Sequence, residues 1–343
     1  MIQEEGRTRV DVRHMDVGEE HAGERLDRFL TRLLASVPRS RIYRLVRRGE
    51  VRVNGRRAKP EQRLEPNDRV RIPPLTLDAE PSGSGRSRPP PALLKRIEQA
   101  ITHEDDRLIV IDKPAGIAVH GGSGLSWGII EALRALRPEE ELELVHRLDR
   151  DTSGCLLVAR RRSSLRTLHE LLREGRVEKG YLALVQGQWN LGRHRIEAPL
   201  RTDIRVSGER TVKVHPSGKA AVSEFRPVQF FAPADRSSRA TLVEVALHTG
   251  RTHQIRVHAA HAGHPVAGDE KYGDEAFNAA LRELGLERMF LHAHRVSFEW
   301  PGGAGTFSAS APLPPELRAV IERLEGAVKA PRGRAGAGAR RPR

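Results

Sequence analysis

The chain has 343 residues, of which 38% are hydrophobic, 30% charged and 4% aromatic, and it carries a formal net charge of +14. This length predicts two or three domains, and the hydrophobic content excludes a disordered protein. The one cysteine, Cys155, excludes an intramolecular disulfide and a CxxC zinc site. The sequence shows neither a signal peptide nor a run of about 18 apolar residues. We therefore expect a cytoplasmic protein that does not span a membrane.

The positive charge is concentrated in two segments. Residues 23–73 contain 15 basic and 6 acidic residues, a net charge of +9. Residues 329–343 contain 6 basic residues and no acidic residue, so the rest of the chain has a net charge of −1. Because each phosphate that a protein neutralises releases a counterion, such segments favour a polyanionic partner. The distribution predicts a nucleic-acid-binding module attached to a neutral domain.

Two helices are predicted at the start of this module. Apolar residues in RLDRFLTRLLASV, from Leu26 to Val37, recur with helical spacing. The segment SRIYRLVRR predicts a second helix, with Ser40 as its N-cap and Gly49 at its end. The charged side chains of this second helix are all positive and lack glutamate partners at helical spacing. This pattern favours RNA or DNA binding over a solvated helix face.

Short strands are predicted after the helices, at residues 51–53 and 70–72, with a hairpin turn at Asn54 and Gly55. The arrangement RLDRFL…SRIYRLVRRGEVRVNG resembles the S4 RNA-binding domain, which implies RNA as the partner. The arginines predicted to contact RNA are Arg39, Arg41, Arg44, Arg47, Arg48, Arg52 and Arg56.

Composition also suggests boundaries. Residues 78–95 are rich in Pro, Gly and Ser, which is typical of linkers, and the C-terminal segment has a low-complexity Gly/Ala/Arg composition typical of disorder. We predict an N-terminal extension at 1–18, an S4 module at 19–77, a linker at 78–103, a larger domain at 104–326 and a disordered basic tail at 327–343.

The larger domain combines predicted strands and helices without a regular βαβ rhythm. Strands are predicted at 108–111, 155–159, 181–186, 241–247 and 289–298, and helices at 127–136 and 163–173. This order predicts an α+β fold with a mixed, mostly antiparallel sheet flanked by helices.

Two other chemistries are disfavoured. The segment GLSWG matches the G-x-S-x-G motif of hydrolases at Ser126, but the residues before it form a flexible loop instead of a buried strand. Five histidines lie close together in the sequence: His248, His253, His258, His261 and His264. They form no HExxH motif, so structural or RNA-facing roles are favoured over a metal site. No nucleotide-binding loop occurs, so we expect neither a cofactor nor a metal.

The stretch VHRLDRDTSG, residues 145–154, sets two carboxylates among arginines. An arginine that contacts Asp149 would favour its ionised form, which can act as a nucleophile or a base but is a poor general acid. A structural ion pair that caps the turn before a strand is the alternative. The residues alone leave both interpretations open.

Five motifs in order add a resemblance. His146-Arg147-Leu148-Asp149 with Thr152-Ser153-Gly154 resembles the signature of the RluA family of pseudouridine synthases, and the other family motifs accompany it: DKPAG, KGYLA, GRTHQIRVH and GDEKYG. The resemblance extends from about residue 20 to residue 325. Within the family, the chain looks most similar to members that modify several uridines of large-subunit ribosomal RNA.

The resemblance implies a cofactor-free isomerisation of uridine to pseudouridine. Asp149 would be the catalytic carboxylate, which either attacks C1′ or removes a ribose proton. Tyr181 would stack on the flipped base and could assist proton removal from C5. Arg256 would pair with Asp149, and Arg147 would insert near the vacated base position.

The implied partner is large-subunit ribosomal RNA or a pre-ribosomal particle, bound by a monomer. The alternative is a non-catalytic, ribosome-associated S4 RNA-binding protein. It is disfavoured because Asp149, Tyr181 and Arg256 are all present.

Overall fold

The computed structural model describes residues 7–10, 12–34, 37, 39–78, 89–121, 127–204, 210–303 and 305–329. The chain divides into two compact units, unit 1 at residues 1–88 and unit 2 at residues 89–343. Ser126 of the G-x-S-x-G motif and the basic tail after residue 329 lie outside the described residues. None of the helices in the described ranges is long and apolar enough to cross a membrane.

Unit 1 is a small sheet with two helices. A four-stranded sheet has the order β2-β5-β3-β4, and β1 pairs separately with β6. A 3₁₀ helix, Glu19–His21, precedes the first α-helix. The elements are β1 (Arg7–Val10), β2 (Arg13–Asp16), α1 (Leu26–Leu33), α2 (Arg39–Arg48), β3 (Arg52–Val53), β4 (Arg56–Arg57), β5 (Arg69–Ile72) and β6 (Leu75–Asp78).

The predicted helices of unit 1 are present, with two local differences. Leu33 is 38% exposed, whereas Leu34, at which the chain leaves helical geometry, and Val37 still pack against the core. Helix α2 begins at Arg39, so Ser40 lies inside the helix and is not its N-cap. Apolar side chains of both helices and the sheet form one core; they include Leu26, Phe29, Leu30, Ile42, Leu45, Val46 and Val70.

The predicted hairpin turn is confirmed. Asn54 and Gly55 have φ values of 50° and 75°. Positive φ at both central residues defines the tight turn that matches the twist of a two-residue hairpin. The turn directs β3 back onto β4 in antiparallel register.

Unit 2 contains twelve strands and six α-helices within the ranges the structure describes. The strands are β7 (Ile101–Glu104), β8 (Leu108–Lys113), β9 (Glu143–Leu144), β10 (Ser153–Ala159), β11 (Val177–Gln186), β12 (His194–Glu197), β13 (Leu200–Ile204), β14 (Arg210–Val214), β15 (Val222–Phe231), β16 (Ala240–Leu247), β17 (Leu291–Glu299) and β18 (Thr306–Ser310). The helices are α3 (Pro91–Gln99), α4 (Ile129–Leu136), α5 (Arg162–Arg173), α6 (Gln254–His261), α7 (Glu275–Glu283) and α8 (Pro315–Lys329).

The main sheet of unit 2 has ten strands in the order β12-β15-β16-β11-β17-β10-β8-β7, with β18 beside β17 and β9 beside β10. Every pair is antiparallel except β10 with β17, which run parallel. The separate hairpin β13–β14 is also antiparallel. The predicted mixed, mostly antiparallel sheet is therefore confirmed.

Both faces of the sheet are buried near its centre. In β10, Leu156 and Val158 join one core, whereas Cys155 and Leu157 join another. Successive side chains of a strand point to opposite faces, so burial on both sides requires the continuous apolar run seen in the sequence.

Several predicted boundaries are corrected. The linker at 78–103 is too long, because Leu94 and Ile97 of α3 pack into the core and β7 joins the sheet. The N-terminal extension at 1–18 is also too long, because β2 pairs with β5. Helix α8 continues to Lys329, beyond the predicted start of the tail at 327.

Candidate active site

The loop between β9 and β10 carries Asp149, and a buried lysine holds it. Lys113, at the end of β8, is fully buried, and its Nζ donates to the carbonyl oxygens of Pro114, Ile117 and Arg150 at 2.9, 2.8 and 2.9 Å. Burial lowers the pKa of Lys113 to about 7, and the charges of Asp151 and Asp149 oppose that shift. The DKPAG motif thus fixes the backbone next to Asp149.

A histidine and a glycine fix the same loop to the sheet. His146 Nε2 accepts a hydrogen bond from the Leu157 N–H at 3.1 Å, and burial, with the charge of Lys179, lowers the pKa of His146 to about 4. At Gly154 φ is 106°, and a Cβ there would lie 2.2 Å from the carbonyl oxygen of Ala293. Only glycine fits where β10 pairs with β17 this closely.

Asp149 is linked through Arg256 to a second carboxylate, Asp269. Arg256 Nη1, on α6, lies 3.3 Å from Asp149 Oδ2. The other side of the same guanidinium binds Asp269, with Nε and Nη2 at 2.7 and 2.8 Å from its two carboxylate oxygens. Asp269 Oδ1 also accepts the backbone N–H groups of Lys271 and Tyr272 at 2.9 and 3.1 Å. Asp269 therefore aims Arg256 at Asp149.

Burial and nearby charges both shift the pKa values of Arg256 and Asp269. Burial tends to lower the pKa of Arg256, but its hydrogen bonds to Asp269 and the charges of Asp269 and Asp149 outweigh it and raise that pKa. Burial tends to raise the pKa of Asp269, but its bonds to Arg256 and to two backbone N–H groups lower it overall. Both groups are ionised at neutral pH.

Tyr181 shares a small cavity with these groups. It lies on β11 and its side chain is buried. The cavity has a volume of about 80 Å³, and its lining includes Arg147, Asp149, Tyr181 and Arg256. Burial, followed by the charge of Asp149, raises the pKa of Tyr181, so the phenol is neutral at pH 7. All four predicted catalytic residues are thus brought together.

The remaining charges of the loop differ in their contacts. Arg147 is exposed at the cavity and makes no ion pair or hydrogen bond to any residue that the structure describes. Arg150 instead pairs with Asp151 at 3.1 Å, and both side chains are largely exposed. Arg147 is therefore available to a ligand, whereas Arg150 and Asp151 neutralise each other.

The arginines predicted to bind RNA lie in unit 1. Arg44, Arg47 and Arg48 on α2 are exposed, as are Arg52 and Arg56 of the hairpin. Arg41 is partly buried, and the side chain of Arg39 lies outside the described part of the chain. Arg48 approaches Glu50 at 3.9 Å, a weak surface pair.

The clustered histidines separate into different environments. His258 is fully buried and bonded to Ser223 Oγ and the Ala198 carbonyl, and His264 bonds the Gln186 carbonyl. His248 and His261 are exposed. His253 lines the cavity, with Nε2 4.0 Å from Asp149 Oδ1. Among the described residues, no group of three or more His, Cys, Asp or Glu side chains is arranged to hold a metal ion.

Four residues near Asp149 were not predicted as site residues: Lys113, His253, Asp269 and Tyr272. Each lies in a motif recognised in the sequence, so the signal was present. The motif order did not reveal which of their atoms meet, because the contacts join segments far apart in the chain.

The fold and site define an RNA-modifying enzyme of the isomerase class when they are combined with comparisons to known proteins. Residues 107–261 match the model of the RNA pseudouridylate synthase family, and residues 24–70 match that of the S4 domain. The chain is 51% identical over 316 residues to Ribosomal large subunit pseudouridine synthase C of Haemophilus ducreyi, covering 92% of this chain and 96% of the relative.

Other relatives agree. The protein of the same name from Escherichia coli K12 is 49% identical over 321 residues, covering 92% of this chain and 98% of the relative. The solved structure of Human RNA Pseudouridylate Synthase Domain Containing 4 is 26% identical, with a TM-score of 0.55 over 68% of this chain and 96% of that chain. The chain therefore belongs to the RNA pseudouridylate synthase family and is a pseudouridine synthase with an S4 domain.

Proposed function

We propose that this enzyme isomerises uridines at several sites of large-subunit ribosomal RNA, with Asp149 as its catalytic carboxylate. The names of its relatives support the RNA substrate. The observation that carries the role of Asp149 is its position in the small cavity, paired with Arg256 and sharing the cavity with Tyr181.

The reaction exchanges one bond of the base for another. The N1–C1′ bond breaks, the uracil turns, and C5 bonds to C1′. C5 then loses its proton and N1 gains one, so the product is an isomer and no electrons are transferred. The Asp149 carboxylate promotes cleavage of the N1–C1′ bond, and Arg256 holds it in place through the contact at 3.3 Å.

Tyr181 and Arg147 handle the base and its vacated position. A uridine must leave its stack to reach Asp149, which costs on the order of a few kcal/mol. The buried ring of Tyr181 offers a stacking surface inside the cavity. Its raised pKa favours stacking as a neutral phenol over proton removal from C5 as a phenolate. The guanidinium of Arg147, which has no partner among the residues described, can take the place of the flipped base.

The partner is large-subunit ribosomal RNA, free or in a pre-ribosomal particle, in the cytoplasm. Phosphate contacts by the exposed arginines of α2 and the hairpin supply affinity without reading sequence. We propose that the enzyme acts as a monomer, since Asp149, Tyr181 and Arg256 line the cavity without a residue from a second copy.

The test is pseudouridine formation by Asp149→Asn. A large-subunit ribosomal RNA transcript with tritium at C5 of its uridines releases tritium when C5, after bonding to C1′, loses its hydrogen. We expect the wild type to release it and Asp149→Asn to stay at background, with RNA affinity retained. The control is Glu270→Gln, which removes an exposed carboxylate outside the cavity and should react at the wild-type rate.

The outcomes separate the proposal from its alternative. Release at the wild-type rate by Asp149→Asn would make Asp149 a structural turn residue. RNA binding without tritium release by the wild type would favour a non-catalytic S4 RNA-binding protein. Mapping pseudouridines in large-subunit ribosomal RNA from cells with and without the gene gives the number of sites.

A further inference from the structure

His253 has a backbone conformation that few residues adopt. It is the N-cap of α6, with φ of 52° and ψ of 23°, in the left-handed region. Its side chain makes no capping bond to the helix. Left-handed geometry is uncommon for residues other than glycine, and such strain clusters at functional sites. Glycine or asparagine would adopt this backbone conformation more easily, so the presence of a histidine indicates a role for its imidazole.

The contacts of the imidazole fix its tautomer. Its Nδ1 lies 2.9 Å from the hydroxyl oxygen of Tyr272. That oxygen already accepts the N–H of Val212 at 3.0 Å, so its own proton is directed at Nδ1. A neutral imidazole that accepts at Nδ1 carries its proton on Nε2. The Nε2–H of His253 is therefore the donor on the side of Asp149.

The two oxygens of Asp149 face different neighbours. Oδ2 is held by Arg256, whereas Oδ1 lies 4.0 Å from His253 Nε2. This distance is longer than a hydrogen bond, and catalytic hydrogen bonds of free enzymes commonly shorten when substrate binds. Tyr272 joins both partners, because the Arg256 guanidinium lies 5.1 Å from the centre of its ring.

The charged and titratable groups around His253 are Asp149, Arg256, Lys271, Asp269 and Tyr272. Burial is the largest influence and lowers its pKa, the charge of Asp149 acts in the opposite sense, and those of Arg256 and Lys271 reinforce the lowering. His253 is therefore neutral at pH 7, in the form whose single proton faces Asp149.

We propose that His253 is a positioning residue, whose Nε2–H closes onto Asp149 Oδ1 when RNA binds and fixes the carboxylate together with Arg256. Tyr272 maintains the tautomer that makes this possible. The inference rests on the proposed role of Asp149 and extends it to a donor on its second oxygen.

The test compares two substitutions at one position. His253→Gln keeps an N–H donor near the position of Nε2, whereas His253→Leu removes it. Neither substitution introduces glycine, so both variants have a side chain at the same left-handed backbone position. Tritium release is measured in a single turnover, with enzyme in saturating excess over the RNA transcript, so the rate is separated from RNA affinity. We expect His253→Leu to react about 100-fold more slowly, the effect of a misplaced reacting group. His253→Gln should recover most of the rate.

Two further variants test whether the tautomer of His253 matters and whether any histidine of α6 would give the same effect. Tyr272→Phe keeps the ring but frees the tautomer, and we expect a loss of roughly fivefold, equivalent to one hydrogen bond. It remains informative if His253→Leu does not fold. His261→Gln, which changes an exposed histidine on the same helix, should react like the wild type.

In His253→Gln the rate should also depend less on pH below about 6.5, because no imidazole titrates at this position.

Failure of this inference differs from failure of the proposed function. The inference is overturned if the wild type is active, Asp149→Asn is inactive, and His253→Leu reacts at the wild-type rate or His253→Gln is as slow as His253→Leu. The proposed function is overturned if the wild type releases no tritium or Asp149→Asn releases it normally.

Discussion

Replacing Asp269 by asparagine perturbs the active site without changing any residue that lines the cavity. The aspartate side chain is fully buried and its two oxygens accept four hydrogen bonds, two of them from Arg256. An asparagine can keep its oxygen toward Arg256 Nη2 and the two backbone N–H groups. Its NH₂ group then faces Arg256 Nε, so one charge-assisted bond is lost and two donors oppose each other.

The expected cost is about 3 kcal/mol of unfolding free energy, at the low end for breaking a buried ion pair, because Asp149 still partly compensates Arg256. The guanidinium also loses the bond that aims it, so the single-turnover rate should fall about 100-fold. Urea unfolding followed by tryptophan fluorescence reports unit 2 alone, since Trp127, Trp189 and Trp300 all lie there. The midpoint should fall by roughly 1 M.

The neighbouring exposed residue provides the control. Glu270→Gln should leave the unfolding midpoint unchanged. If Asp269→Asn unfolded at the wild-type midpoint and also reacted at the wild-type rate, the argument that Asp269 aims Arg256 would be refuted.

Two other predictions concern acid stability and RNA affinity. Burial lowers the pKa of His292 to about 4, whereas an unfolded imidazole titrates near 6.5, so the unfolded chain binds the extra proton and stability falls as pH drops from about 6.5 toward 4. His292→Gln should therefore lose about 2 kcal/mol less than the wild type between pH 7 and pH 5, measured by urea unfolding; equal losses would contradict it. Neutralising Arg44 and Arg48 with glutamine should reduce the log–log salt slope of RNA binding by roughly 0.7–0.9 per lost phosphate contact. An unchanged slope would mean that this helix face does not meet RNA.

The sequence was most informative where burial leaves a periodic pattern. Apolar spacing predicted α1, α2 and α5, and the continuous run at Cys155 predicted a strand buried on both faces. The Asn54–Gly55 pair predicted its turn because few other residues accept positive φ twice in succession. The five motifs also selected the correct family, which periodicity alone could not do.

The rest depends on contacts that no local pattern encodes. Helix α3 was assigned to a linker because the prolines beside it dominate the local composition, and its burial against α4 is a tertiary property. Asp269 and His253 stood in recognised motifs without an assigned role. Their functions follow from which atoms lie near Arg256 and Asp149, and only the folded chain supplies those distances.

The close approach of Gly154 to Ala293 has a consequence for synthesis of the chain. The loop with Asp149 is held by residues made much later, since Arg256 follows Asp149 by 107 positions and His292 follows its partner Ser153 by 139. A ribosome completes unit 1 long before β17 emerges, and domains commonly fold in the order of their synthesis. An unfinished chain can therefore have a folded S4 domain before it has an ordered catalytic loop.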